Sequence, residues 1–499
     1  MKDVWGKLTK RLEELTDLYG IGSLVEWDQA VLMPPGGGAS RARASATLGE
    51  LTHDRLTDPA IGELLDELEG DDSLDDVQKR SVQLTRREYD RETKVPAELV
   101  RELTETTNIA YQVWTEAKPA SDYKSFEPHL SRVVELKKQQ ADAIGYEGER
   151  YDALLDLYEP GMTSVEVEAM FEELVQDLRP IVDVVLDARS PRPEFLSGSY
   201  EESKQDQFSQ WLTRHVGFDG AGGRLDTSPH PFTIQVGRGD VRQTTRYSQT
   251  DLLSSIYATL HETGHALYDQ GFPQQWHDLP VGGFASLGMH ESQSRMWENQ
   301  VGRSRAFSSF MLPELKKLFE AELGAVTPDE FYEGVNYPEL SMIRVEADEL
   351  TYNLHIVMRF ELELALFRDE LAVADLPDAW NAKMEEHLGI RPDNDGEGVL
   401  QDMHWAGGMQ GYFPTYSLGT IYSAALFDKA NMDLGGLEDE FRRGETGRLL
   451  EWLRTNIHSK GHMLDAKDLA TKVLGQQPTA QPLLNYLKSK YSEIYSVAF

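Results

Sequence analysis

Apolar residues recur at three- and four-residue steps over most of this chain, the spacing of helices with one buried face. Between Val4 and Tyr19, Leu8, Leu12, Leu15 and Leu18 line such a face, and Gly20 is expected to end the helix. Similar runs cover about 60–70, 76–92, 97–117, 124–144 and 164–189, then 305–323, 345–374, 380–388, 417–431, 436–457 and 466–496. Punctuation falls at Pro34-Pro35-Gly36-Gly37-Gly38 and Ser190-Pro191-Arg192-Pro193. One stretch departs from the rhythm. Phe232 to Val236 alternates apolar and polar residues, as does part of Val241 to Tyr247, with Gly237-Arg238-Gly239-Asp240 between them, so a small β-hairpin or sheet is expected. No repeat or linker divides the chain. The expected fold class is all-α, a single large helical body over 1–499 with a minor sheet.

Directly after the hairpin comes His261-Glu262-Thr263-Gly264-His265. Leu252, Leu253, Ile256, Tyr257 and Leu260 form an apolar stripe, Ser248 with Asp251 resembles a capping box, and Gly271 supplies a stop. On this helix His261 and His265 lie one turn apart on one face, where both imidazoles can bind one zinc ion. Glu262 can reach a water on that ion and act as base. The chain has no cysteine, so a tightly held metal needs His, Asp or Glu. A catalytic zinc wants two His, one carboxylate and an open position. Glu291 is the candidate carboxylate, on a second helix that begins beyond the motif.

The net charge of −36 argues against nucleic acid and anionic membrane partners. The first residues, Met1-Lys2-Asp3-Val4-Trp5, open no apolar run, so no secretory signal is expected, and no stretch of about 18 apolar residues suggests a membrane span. The expected location is cytoplasmic.

Several further segments resemble the thermostable carboxypeptidase (carboxypeptidase Taq) family of zinc metallocarboxypeptidases. Five motifs occur in that family's order: Asp240-x-Arg242-x-Thr244, His261-Glu262-x-x-His265, His290-Glu291-Ser292-Gln293, Ile343-Arg344-x-x-Ala347-Asp348, and Gly398-x-x-Gln401-Asp402-x-His404-Trp405. Glu26-Trp27-Asp28-Gln29 through Met33-Pro34-Pro35-Gly36-Gly37, and Gly411-Tyr412-Phe413-Pro414-Thr415-Tyr416, are similar too. The resemblance implies a homodimeric helical enzyme with a deep cleft partly covered by N-terminal helices acting as a lid. It implies removal of single residues from free peptide C-termini, with broad tolerance but little action next to proline.

That chemistry assigns further candidates. The oxyanion that forms as a zinc-activated water attacks needs donors, for which His404, Tyr412 and Tyr416 are expected. A free substrate carboxylate is best read by arginine, and Arg242 and Arg344 lie inside matched motifs. The alternative for each arginine is a structural ion pair, with Asp240 or Asp348. Asp269 could orient a ligand but is expected to be solvent-exposed, while Gln401 and Asp402 could brace the site. Cobalt or manganese could replace zinc in such a donor set. The rival activity is a helical zinc endopeptidase or dipeptidyl carboxypeptidase.

The acidic surface has two readings, plain solubility or adaptation to a high-salt cytoplasm. On the second, salt stabilises the fold and the dimer, because the Debye length shrinks from about 30 Å at 0.01 M to about 3 Å at 1 M. Melting temperature and sedimentation should both rise between about 0.05 M and about 2 M salt, and unchanged values would leave solubility as the reading.

Overall fold

A computed structural model describes residues 2–499. Helices dominate, with a three-stranded sheet of β1 (Gly223–Thr227), β2 (Thr233–Gly237) and β3 (Asp240–Thr245). The expected hairpin is β2–β3, antiparallel, with a register shift between Gln235 and Gly237. The third strand, β1, pairs with β3 in parallel and completes the order β1-β3-β2.

Side chains alternate across β3, so Val241, Gln243 and Thr245 share one face. That face lies on the Leu252–Asp269 helix, where Thr263 donates to Gln243 Oε1 at 3.0 Å and the Thr259 and Thr245 hydroxyls meet at 3.1 Å. The helix begins one residue after its cap. Asp251 itself is the N-cap and accepts from the Ser254 N–H at 3.0 Å, so the expected Ser248 capping box is not the one formed.

Gly20 does not end the first helix, which runs through Lys2–Val31. A Cβ at Gly20 would stand 2.4 Å from the carbonyl oxygen of Val236, so glycine is where this helix crosses the edge of the sheet. A covered edge is also protected from pairing with other chains. Next, Gly38–Leu56 forms a helix that the apolar pattern does not predict. Later, the expected run 345–374 is α-helical only over Tyr352–Phe367, with short 3-10 turns at Arg344–Glu346 and Val373–Asp375, and 436–457 breaks into Glu438–Arg442 and Gly447–Asn456.

Two apolar clusters organise the molecule. The larger contains the Leu252–Asp269 helix and most later helices. The smaller holds Leu8, Leu12, Leu15, Leu56, Ile61, Leu65, Leu68 and Val82, from the first four helices alone. Much of what ties the fourth of these, Asp76–Lys94, to the body is polar. Arg80 and Arg87 meet Asp465 at 2.6 and 3.1 Å, and Arg91 pairs with Asp156. No helix among the described residues is long and apolar enough to cross a membrane.

Candidate active site

The Leu252–Asp269 helix presents His261 and His265, and the Leu287–Arg295 helix packs against it with Glu291. Glycine permits the approach. A Cβ at Gly264 would stand 2.6 Å from the Gln293 carbonyl oxygen, and one at Gly419, on the Pro414–Asp433 helix, 2.6 Å from Glu291 Cβ. The ligand helix is therefore clasped between two neighbours at near-backbone contact.

As a result, donor atoms of His261, His265 and Glu291 lie within 4.8 Å of one another. Each histidine Nε2 stands 3.4 Å from Glu291 Oε2. Donors about 2.0–2.2 Å from one tetrahedral ion are separated by about 3.3–3.6 Å, so the set fits a single metal. Burial alone would push Glu291 up, but Arg295, 2.7 Å from its Oε1, and the two histidines hold it well below the usual carboxylate range.

Both histidines are anchored by their other nitrogen. His261 Nδ1 meets Glu298 Oε2 at 2.9 Å. His265 Nδ1 contacts His290 Nδ1, and His290 Nε2 meets Asp269 Oδ1 at 2.8 Å. With Asp269 accepting from His290, the His290 Nδ1 lone pair can accept from His265, which leaves His265 Nε2 free for the metal. Asp269 is thus buried, 5% exposed, and braces the site, contrary to the expectation of a solvent position. It lies one turn beyond His265, on the same helix face, so it sinks with the motif.

Glu298 and His290 escape the motif reading as contributors. His290 is the first residue of its motif, and its neighbour Glu291 draws the attention. Glu298 sits on a wider π-helical turn, Met296–Gly302, that continues the ligand helix.

Glu262 is 6% exposed, and the Thr233 hydroxyl donates to its Oε2 at 2.7 Å. Burial raises its pKa, opposed by His261 and by that hydrogen bond. A carboxylate so raised is a stronger base.

The other candidates gather around Asp402. Arg344 Nε and Nη2 reach its Oδ1 at 2.9 and 2.8 Å, and Arg359 reaches Oδ2 at 2.6 Å. The structural pairing of Arg344 is therefore with Asp402. Asp348 instead accepts the Glu339 and Thr351 N–H groups at 2.7 and 2.9 Å. Gln401 Oε1 accepts the Arg344 N–H at 2.9 Å, which makes both Gln401 and Asp402 braces. The Arg344 guanidinium lies 5.2 Å from the Tyr416 ring centre. Tyr416 OH meets His404 Nε2 at 3.2 Å, and the Tyr412 and Tyr416 rings are 5.2 Å apart. Burial pushes His404 down to about 4, which keeps the ring neutral near pH 7. Tyr352 joins the two halves: its hydroxyl accepts from Arg344 at 3.1 Å, and Arg295 stacks 4.3 Å from its ring centre.

Arg242 stands apart. Gln243 faces the motif helix, so Arg242 points to the opposite face of the sheet. There it pairs with Asp240 at 2.7 Å and stacks 4.3 Å from the Trp27 ring centre.

A His-Glu-x-x-His helix completed by a carboxylate from the next helix defines a metallopeptidase site. Residues 7–491 match the family described as Carboxypeptidase Taq (M32) metallopeptidase, and the chain belongs to it. It is 45% identical over 497 residues to thermostable carboxypeptidase 1 of Thermus thermophilus, covering 97% of each chain. It is 37% identical over 493 residues to carboxypeptidase 1 of Bacillus subtilis, covering 98% of this chain and 97% of that one. The M32 carboxypeptidase structure from Deinococcus radiodurans superposes with a TM-score of 0.97 at 41% identity, covering 99% of this chain and 100% of that one. Membership makes the chain a metal-dependent peptide hydrolase of the carboxypeptidase class.

Proposed function

We propose that this chain is a zinc metallocarboxypeptidase that releases single C-terminal residues from peptides, with broad tolerance and little action next to proline. It works in the cytoplasm as a homodimer, with the N-terminal helices as a lid. The observation that carries the reading is the convergence of His261, His265 and Glu291 on one point, next to a buried carboxylate at Glu262.

Zinc in that site supplies Lewis acidity, which polarises a carbonyl and makes water nucleophilic near neutral pH, and cobalt or manganese suits the same donors. Thr233 aims the Glu262 carboxylate, which takes the proton of the attacking water and hands it to the leaving amine. Tyr416, Tyr412 and His404 offer donors to the carbonyl oxygen as it gains charge. Of the two arginines, Arg344 is the better reader of the terminal carboxylate. It shares its surroundings with Tyr416, and Arg344 and Arg359 together outweigh the single charge of Asp402.

Arg344→Ala is expected to cost about 2–5 kcal/mol in kcat/KM on free-acid peptides, the range for removing a buried charged partner. Arg242→Ala should cost less. Steady-state kinetics on one free-acid peptide would decide: normal kcat/KM in Arg344→Ala would mean that the terminus is read elsewhere.

A further inference from the structure

Glu363 takes no part in the chemistry above, yet its side chain is fully buried on the Tyr352–Phe367 helix. Both of its oxygens are used. Oε1 accepts from Trp405 Nε1 at 2.7 Å. Oε2 accepts from the Tyr151 hydroxyl at 2.6 Å and from the Gly411 N–H at 3.0 Å.

The identity of those donors is the point. Trp405 follows His404, and Gly411 precedes Tyr412. Between them the chain folds back on itself. The His404 carbonyl accepts the Met409 N–H at 2.9 Å, and the Met409 carbonyl accepts the Tyr412 N–H at 3.2 Å. One carboxylate therefore ties both ends of a loop whose outer neighbours are two proposed oxyanion donors. The turn has little room to shift. Gly411 has φ +91°, and a Cβ there would stand 2.7 Å from the Leu154 carbonyl.

A buried carboxylate is costly even with three donors, and burial pushes Glu363 up to about 7. An apolar residue of similar volume would fill the space without that cost. It could not accept hydrogen bonds from three separate segments at once.

We propose that Glu363 is a positioning residue: it fixes His404 relative to Tyr412, and through the Tyr412–Tyr416 pair it aims the hydroxyl donors at the reacting carbonyl. This rests on the roles given above to His404, Tyr412 and Tyr416.

The test compares Glu363→Gln, Tyr151→Phe, Tyr412→Phe, Tyr416→Phe and the double variant Glu363→Gln/Tyr412→Phe. Glutamine keeps the volume but offers only one acceptor oxygen, so the three donors can no longer all be met. Misplacement of the donors is expected to lower kcat by about 10- to 100-fold, with metal content unchanged. KM should stay within about twofold, because the interaction is made in the transition state. Tyr151→Phe removes one donor and should lower kcat less. The double variant should lose less than the product of the two single losses, because the two changes act in part through the same donor. Normal kcat in Glu363→Gln beside a slow Tyr412→Phe would overturn the positioning role alone, as would losses that multiply in the double variant. Full activity in Tyr412→Phe and in Tyr416→Phe would overturn the donor assignment and the proposal with it. If Glu363→Gln does not fold, the same cycle run with Tyr151→Phe decides between these outcomes.

Discussion

Glu262→Gln is expected to keep its metal and lose about 10²- to 10⁴-fold in kcat, the range a general base contributes. The substitution is nearly isosteric. Thr233 still has an acceptor for its hydroxyl, so the side chain should stay aimed as it is. What disappears is basicity, because an amide oxygen does not take a proton near pH 7. The metal donors belong to other residues, so occupancy should hold. Metal analysis and initial rates on one purified sample check both halves. A variant that retains more than about a tenth of the parent kcat would move the base role to another group.

Glu291→Ala is expected to remove metal and activity together. The loss has two causes. One of three ligands is gone, and the buried Arg295 keeps only Glu298 as a carboxylate partner, at 3.3 Å. Breaking a buried pair in this way costs about 3–5 kcal/mol, so a lower melting temperature should accompany the metal loss. Glu298→Gln supplies the contrast. It keeps all three ligands but weakens the anchor on His261 Nδ1, and should reduce metal affinity by about 10- to 100-fold, as outer-shell changes do. Chelator competition measures both variants. Full occupancy in Glu291→Ala would require a different third ligand.

Much of this site is written in local spacing. His261, Glu262 and His265 share one helix, so their geometry follows from the helical period alone. Glu291 needs one further step, a neighbouring helix that faces the first. The anchoring residues need more. Glu298 reaches His261 from a π-helical turn, and Asp269 reaches His265 only through His290. Helical spacing puts Asp269 on the face of His265, but nothing in the spacing announces the link through His290 or the reach of Glu298.

The partners of Arg344 teach the same lesson. Sequence proximity favours Asp348, but the chain brings Asp402 instead, from a segment far along the sequence. In the fold, helices with an apolar stripe are legible and those without are not. Gly38–Leu56 buries only Leu56 and so leaves no periodic mark. Gly20 reads as a stop, but it serves the close crossing over Val236 inside a continuing helix. Strand β1, Gly-Arg-Leu-Asp-Thr, is short and polar, and its parallel partner lies beyond β2.

The reading as a carboxypeptidase is tested most directly by a mass-spectrometric time course on one peptide, offered as the free acid and as the C-terminal amide. The account predicts a ladder of products from the free acid, each shorter by one C-terminal residue, and an untouched amide, because Arg344 has no carboxylate to bind. Internal fragments, losses of two residues at a time, or cleavage of the amide at a comparable rate would contradict it.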